Sequence, residues 1–221
     1  MNKKYVDLKL YSFLSQNYFN DLSWTSLDET FSILAKNNIS IVVFTDVNNF
    51  KQTFYRNLEH KAKEQKEPII IFPGIEIIVN NKDNDFKAIL VFDNNIDDEQ
   101  LQNLQEIVIN YSKNEKSKGL VSFLNSLKKF SYKLILNFNE NKKIDIKELK
   151  TIKDKINYVI CNEKIALIDE IKKEINPNLK IIFNDEHNNW KIYHKPKTYL
   201  EIPENQEINL DYLFNNLKIE E

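Results

Sequence analysis

The chain has 221 residues, of which 42% are hydrophobic, and its 31 basic and 33 acidic side chains give a net charge of -2. A chain of this length can bury one large core, and β/α barrels of this size commonly form a single domain. The near-zero charge excludes a general electrostatic attraction to nucleic acid, so such binding needs a local basic patch. Arg56 is the one arginine in the sequence, which argues against direct reading of base edges.

The sequence predicts a cytoplasmic protein with no membrane partner. No apolar segment reaches the length of a membrane span, and the charged N-terminus lacks the apolar region of a signal peptide. The single cysteine, Cys161, permits no internal disulfide and no cysteine-based zinc cluster. The abundance of Asn, Lys and Ile beside only two glycines indicates an AT-rich bacterial genome. Lysine and asparagine clusters therefore carry little weight alone.

Short β-branched segments alternate with helical patterns along the chain, which predicts roughly seven β/α units. Apolar segments such as 39–44 are typical of parallel strands that are buried on both faces. The predicted strands, in chain order, are Lys4–Tyr11, Ile39–Asp46, Pro68–Val79, Phe86–Asp93, Tyr132–Asn139, Ile156–Asn162 and Leu179–Asp185.

The helical patterns between these strands have recognisable ends. Ser26 and Glu29 form a capping box at the start of one helix, and Asp145 with Glu148 repeats the pattern. Residues 209–217 place leucine and phenylalanine side chains on one face of a short amphipathic helix. We expect this last helix to pack on the barrel, although it is also a candidate for docking a partner.

The periodicity leaves a closed barrel and an open, doubly wound sheet as alternatives. Both architectures gather functional side chains at the carboxyl ends of parallel strands. The polar residues that the sequence places at or near these ends are Asp7, Lys9, Tyr11, Asp46, Asn48, Glu76, Asn137, Asn139, Asp185 and His187.

Two of the strand ends have informative spacing. Asp7, Lys9 and Tyr11 lie two residues apart along one strand, so we expect their side chains to point to one side. Asp185 and His187 have the same spacing, which suits two ligands of one metal ion. On a third strand, Glu76 is a carboxylate within apolar sequence, and such a charge requires a partner.

The early motifs resemble those of the polymerase and histidinol phosphatase (PHP) family. Residues 7–12 are similar to the family's opening motif, Asp-Leu-His-x-His-Thr/Ser, with both histidines replaced. Residues 45–48 are similar to Thr-Asp-His-Asn with its histidine replaced, and residues 73–76 keep the motif Pro-Gly-x-Glu. The family's order of motifs is therefore kept while most of its histidines are lost.

The later motifs continue the resemblance over almost the entire chain. Lys87 stands where the family has a histidine that opens the next strand, and residues 137–139 replace the motif Ala-His-Pro. Residues 184–187 keep the Asp and His of the closing motif Ser-Asp-x-His. The resemblance implies an α/β fold, a single-domain distorted (β/α)7 barrel over residues 1–221. In the family, such a barrel holds a multinuclear metal centre that hydrolyses phosphoesters.

The lost histidines argue against full activity on chemical grounds. A phosphoesterase centre with two or three metal ions needs many His, Asp and Glu ligands in one shell. This chain has three histidines, and we expect His60 and His194 to lie at the surface, which leaves His187. Lys9 would bring a cation into the former metal site, where its ammonium would satisfy Glu76 or Asp185 without an ion.

Two functions from different classes follow. In the first, the chain is a catalytically degenerate PHP-like domain without a cofactor. It would act as a structural or protein-interaction module, in a nucleic-acid-processing, replication or defence complex, with a protein partner that the sequence does not identify. Its vestigial site would then comprise Asp7, Lys9, Tyr11, Asp46, Asn48, Lys87, Asn137 and Asn139.

In the second function, the chain is a residual metal-dependent phosphoesterase or nuclease. Glu76, Asp185 and His187 would hold one Mn, Zn or Fe ion, with an open position for water. A third possibility overlaps with the first. Lys9, Lys87, Asn137 and Asn139 would line a pocket that binds an anion or a nucleotide without turning it over.

Overall fold

The computed structural model describes residues 2–16, 25–81, 84–113, 119–138, 146–161, 166–183, 190, 193 and 195–220. Within these residues the chain forms nine strands that belong to one mixed sheet. The strands are β1 (Asn2–Leu10), β2 (Ile39–Phe44), β3 (Ile70–Asn81), β4 (Asn84–Phe92), β5 (Tyr132–Asn137), β6 (Ile156–Cys161), β7 (Lys180–Phe183), β8 (Thr198–Ile202) and β9 (Lys218–Ile219).

Seven α-helices connect or follow these strands in the described residues. They are α1 (Leu27–Lys36), α2 (Gln52–Lys63), α3 (Asp98–Lys113), α4 (Leu120–Ser126), α5 (Ile146–Lys150), α6 (Ala166–Glu174) and α7 (Leu210–Asn216). Two short 3-10 segments, Phe13–Ser15 and Lys153–Lys155, lie at strand boundaries. None of the described helices is long and apolar enough to cross a membrane.

The strand order is β7-β6-β5-β4-β3-β2-β1-β8-β9, which makes a nearly closed, barrel-shaped sheet in a mixed α/β fold. Each of the seven predicted strand positions contains a strand, with ends that differ by a few residues. The pairing differs from a regular β/α repeat, because β3–β4, β4–β5, β1–β8 and β8–β9 are antiparallel.

The departure from the predicted repeat begins between β3 and β4. Only residues 82–83 separate these strands, whereas a parallel connection requires about a dozen residues or more. The two strands therefore form an antiparallel pair from Gly74 opposite Val91 to Asn81 opposite Asn84. This pair joins a parallel block formed by β1, β2 and β3 to a second parallel block formed by β5, β6 and β7.

The two faces of the sheet pack against different partners. Residues of α1 to α6 join one large cluster with one face of the strands, which places these helices outside the barrel. A second cluster contains inward side chains from β1 to β8, including Leu8, Phe72 and Ile135. Leu213 and Phe214 of α7 belong to this inner cluster. The last predicted helix therefore forms, and it packs against the interior of the barrel.

Polar side chains begin two of the predicted helices. The Ser26 hydroxyl accepts a hydrogen bond from the Glu29 backbone N–H at 3.2 Å, as the capping pattern predicts. At α7, the Asn209 side chain accepts one from the Tyr212 N–H at 2.9 Å. The second predicted capping box includes Asp145, which lies outside the described residues.

Candidate functional site

Glu76 is the centre of the candidate site, and its carboxylate is fully buried. The Tyr11 hydroxyl donates to its Oε2 atom at 2.7 Å, and the Asn137 side-chain amide donates to its Oε1 atom at 2.5 Å. These donors come from the end of β1 and from β5, so they reach the carboxylate from two sides of β3. Each oxygen of the buried carboxylate therefore receives a hydrogen bond from a neutral protein group.

The close approach of β2 and β3 places Glu76 at this position. At Gly74, an added Cβ atom would lie 2.3 Å from Val43 Cγ1 and 2.9 Å from the Phe44 carbonyl oxygen. Only glycine fits such a contact between neighbouring backbones. The ladder then continues past the strand end, where the Glu76 N–H donates to the Asp46 carbonyl at 3.3 Å.

The Lys9 ammonium does not donate a hydrogen bond to Glu76. This was one of the two pairings that the sequence predicts for it; the other is with Asp185. The donors are Tyr11 and Asn137, although Lys9 is fully buried beside them. The Lys9 ammonium lies 5.4 Å from the centroid of the Tyr11 ring, close enough for a cation–π contact. Its second predicted partner, Asp185, lies outside the described residues, so that pairing stays a prediction.

The end of β1 is irregular, so residue parity cannot be counted through it. The register with β2 shifts between Asp7 and Leu10. Leu8 belongs to the inner cluster whereas Leu10 belongs to the outer one, although the two residues are two positions apart. The expectation that Asp7, Lys9 and Tyr11 point to one side rested on regular alternation, which this strand does not keep.

Asp7 is buried and is bonded by groups from both ends of the chain. Its Oδ1 atom accepts from the Lys9 backbone N–H at 3.1 Å, and its Oδ2 atom accepts from the Tyr193 hydroxyl at 2.6 Å. Burial, together with the adjacent Asp7 carboxylate, raises the pKa of Tyr193 well above its usual value. Tyr193 therefore remains a neutral donor to Asp7 at physiological pH.

Trp190 covers the end of β1 next to this contact. Its indole N–H donates to the Tyr11 carbonyl at 3.0 Å, and only 2% of the residue is exposed. The indole stacks between Phe44 and Tyr193, with ring centroids 6.3 and 5.9 Å away. This aromatic stack fixes the backbone from which the Tyr11 side chain reaches Glu76.

Asp46 forms a second buried cluster beside Glu76. Its Oδ1 atom accepts from the Ser12 N–H and the Ser15 hydroxyl, both at 2.7 Å, and its Oδ2 atom accepts from the Ser12 hydroxyl at 2.6 Å. Burial raises the pKa of Asp46 from 3.8 to about 6, and the hydrogen bonds from the two serines offset part of this effect. The carboxylate ties the turn after β1 to the end of β2.

Asp46→Asn is expected to change how stability depends on pH. The raised pKa means that the folded chain binds this proton more tightly than the unfolded chain does. The stabilising contribution is present at acidic pH and is lost as pH rises through about 6. Between about pH 4 and pH 7, the free energy of unfolding of the wild type should fall by on the order of 3 kcal/mol through this group. The variant should not show this fall.

Urea unfolding at a series of pH values measures this difference. Asp169→Asn, an exposed substitution on α6, is the matched control and should keep the wild-type dependence. If the free energies of unfolding of wild type and Asp46→Asn changed in parallel with pH across this range, the raised pKa of Asp46 would be contradicted.

Asn48 links the motif at residues 45–48 to the strand that carries the motif at residues 73–76. Its φ of 48° lies in the left-handed region, which asparagine adopts more readily than most residues. Its N–H donates to the Glu76 carbonyl at 2.7 Å, and its side-chain oxygen accepts from the Ile78 N–H at 3.0 Å. Asn48 therefore holds the backbone on the carboxyl side of Glu76 through two hydrogen bonds.

Lys87 and Asn137 face each other as paired residues on β4 and β5. Lys87 shares its parity with Ile89, and Asn137 shares its parity with Ile135; both isoleucines belong to the inner cluster. The structure therefore places the half-buried Lys87 and the buried Asn137 on the same face as Glu76.

Several predicted site residues lie outside the described part of the chain, namely Asn139, Asp185 and His187. Among the described residues, no group of three His, Cys, Asp or Glu side chains is placed to hold a metal ion. The described carboxylates of Asp7, Asp46 and Glu76 already accept hydrogen bonds at both oxygens. The described carboxylates therefore do not fit a multinuclear metal centre. The metal site of Glu76, Asp185 and His187 stays a prediction.

Sequence reasoning assigned no role in the site to four residues that shape it, namely Ser12, Ser15, Trp190 and Tyr193. The spacing of Ser12 and Ser15 after the first motif was a usable signal, because nearby serines often bond to a carboxylate or cap a turn. Trp190 and Tyr193 act on residues almost the whole chain away. No local pattern announces such long-range contacts.

Sequence comparison identifies no relative, since no family model and no curated protein matches the chain. Structural comparison does find similar folds. One is a candidate metal-dependent phosphoesterase from Bifidobacterium adolescentis, with a TM-score of 0.56 and 8% identity over 87% of this chain and 91% of that one. Another is PsfC from Pseudomonas syringae, with a TM-score of 0.51 and 13% identity over 92% of this chain and 84% of that one. At these identities the likeness shows the fold alone.

Proposed function

We propose that this chain is a degenerate PHP-like barrel in which internal hydrogen bonds replace the metal centre. The observation that carries the proposal is the pair of bonds from Tyr11 and Asn137 to the two oxygens of Glu76. Tyr11 stands where the resembled family has a metal-binding histidine, and Asn137 stands in its Ala-His-Pro motif. Tyr11, at a former ligand position, and Asn137, at the alanine position of Ala-His-Pro, thus satisfy the carboxylate that the motif Pro-Gly-x-Glu keeps.

The hydrogen bonds around the site explain how such a barrel stays folded without an ion. Asp46 is held by two serines, Asp7 by Tyr193, and the Tyr11 backbone by Trp190. Buried carboxylates are costly unless they are bonded, and here each described one has protein donors. The scaffold would therefore persist as a structural or protein-interaction module in the cytoplasm, with a protein partner as its ligand.

The fold of the Bifidobacterium adolescentis protein, a candidate metal-dependent phosphoesterase, is similar to this one over most of both chains. This likeness supports metal-dependent phosphoesterases as the class from which the barrel would have degenerated. The chemistry of that class requires ligands that are open to a metal and to water. In this chain, Lys9 adds a buried cation at a former ligand position, and a cation opposes the binding of a second one.

A hydrolysis assay tests the proposal. Wild type and Glu76→Ala are incubated with mono- and diesters of p-nitrophenyl phosphate in Mn²⁺, Zn²⁺ or Fe²⁺. We expect both proteins to match the metal-only background, because Glu76 is occupied by Tyr11 and Asn137. Turnover by the wild type that Glu76→Ala abolishes would overturn the proposal and favour the residual phosphoesterase that uses Glu76, Asp185 and His187.

A further inference from the structure

A groove of about 330 Å³ lies at the amino end of β5 and β6, away from Glu76. Its lining includes Phe130 just before β5, Tyr132 and Lys133 at the start of β5, Lys155 just before β6, and Tyr158 within β6. Asn137 marks the opposite, carboxyl end of β5. The groove is therefore separate from the candidate site, and its volume is at the lower end of the range for small-molecule pockets.

The aromatic rings of the groove are held in place by buried neighbours. Phe130 and Tyr132 both pack against the buried Phe92, with ring centroids 5.9 and 6.1 Å apart. Phe130 and Tyr132 are themselves partly exposed at the groove. Rings that are fixed before binding lose little conformational entropy when a planar ligand stacks on them.

The two segments that line the groove are rich in lysine in a chain whose net charge is -2. Residues 128–133 read Lys-Lys-Phe-Ser-Tyr-Lys, with three lysines and no acid, and residues 153–155 add two lysines and one aspartate. Lys133 pairs with Asp211 of α7 at 2.6 Å. Lys133, Lys155 and Asp154 line the groove, and Lys128, Lys129 and Lys153 adjoin the lining residues in sequence.

Lys155 contacts one of the aromatic rings that line the groove. Its ammonium donates to the Tyr132 hydroxyl at 2.5 Å and lies 4.9 Å from the centroid of the same ring. Within the described residues, the contacts of Lys155 are with this phenol and not with a carboxylate. An ammonium beside a half-exposed ring is the combination with which proteins bind a phosphate and the base attached to it.

We propose that this groove binds one nucleotide unit of single-stranded nucleic acid. The base stacks at Phe130 and Tyr132, and Lys133 and Lys155 contact the adjacent phosphate. Lysine contacts a phosphate as a point charge, and stacking accepts any base, so the binding is independent of sequence and sensitive to salt. Lys155 and the lysines that adjoin the groove in sequence would supply the local positive charge that nucleic-acid binding requires in a chain of nearly zero net charge.

Fluorescence anisotropy with a labelled oligothymidylate of about 12 nucleotides tests the groove at low and moderate salt. Lys133→Ala/Lys155→Ala is expected to weaken binding by about fivefold or more and to make it less dependent on salt. Tyr132→Leu keeps an apolar contact with Phe92 and is expected to weaken binding by a similar factor without changing the salt dependence. Lys66→Ala/Lys173→Ala removes the same charge from exposed sites elsewhere and should bind as the wild type does.

Competition experiments distinguish a free nucleotide from a nucleic-acid strand as the ligand, and two results would overturn the proposal. Displacement of the probe by free thymidine monophosphate assigns the groove to a single nucleotide, whereas displacement by unlabelled strand alone assigns it to the polymer; both support the proposal. No saturable binding at low salt would overturn it. An equal loss of affinity in the groove variant and in the control pair would also overturn it, because general charge would then explain binding. Matching melting temperatures confirm that the variants are folded.

Discussion

Tyr11→Phe is expected to lower the free energy of unfolding at pH 7 by about 1.5–3 kcal/mol. The substitution removes only the hydroxyl that donates to Glu76 Oε2 at 2.7 Å. Hydrogen bonds to a buried charge are stronger than those between neutral groups, and the carboxylate cannot recover its loss from water. Urea unfolding of the wild type and the variant measures the difference directly.

Tyr158→Phe is the matched control for this prediction. The Tyr158 hydroxyl is also buried, but it donates to the neutral Phe214 carbonyl at 3.1 Å. Its loss should cost about 0.5–1.5 kcal/mol. In a Glu76→Met background the cost of Tyr11→Phe should fall, because the hydroxyl no longer has a charged acceptor. Equal costs of Tyr11→Phe in the two backgrounds would contradict the assigned bond.

Gly74→Ala is expected to destabilise the fold by about 3 kcal/mol or more. The added Cβ atom would lie 2.3 Å from Val43 Cγ1 and 2.9 Å from the Phe44 carbonyl oxygen, so β2 and β3 must separate. The movement also shifts Glu76, two residues further along β3, away from Tyr11 and Asn137. Thermal and urea unfolding would report the loss.

The second glycine provides the control for Gly74. At Gly119 the nearest atom to an added Cβ is Glu148 Oε1 at 3.8 Å, an ordinary contact. Gly119→Ala should therefore change stability by less than about 1 kcal/mol. Similar effects at both glycines would show that the close approach of β2 and β3 does not control the fold.

The sequence predicts the strands well because their pattern is local. Apolar segments such as 39–44 identify the buried strands, and a serine cap identifies the start of α1. The antiparallel pairing of β3 and β4 was missed, although a two-residue link leaves no room for a crossover helix. Strict alternation of strand and helix therefore cannot hold between β3 and β4.

The site was harder to predict than the fold because its contacts are long-range. Sequence reasoning identified Glu76 as a charge that needs a partner and offered Lys9 as one candidate donor. The actual donors are Tyr11 and Asn137, and they were proposed only as vestigial residues. The irregular end of β1 determines which side chains reach Glu76, and residue spacing does not encode that irregularity.

Metal analysis of the purified protein distinguishes an internally bonded carboxylate cluster from a working metal site. Wild type and a Glu76→Ala/Asp185→Ala variant are incubated with Mn²⁺, Zn²⁺ or Fe²⁺, freed of unbound ions, and analysed for metal per chain. Because Tyr11 and Asn137 occupy the Glu76 carboxylate, we expect substoichiometric and equal metal in both proteins. One bound ion per wild-type chain that the variant loses would contradict the account and assign a working metal site to this barrel.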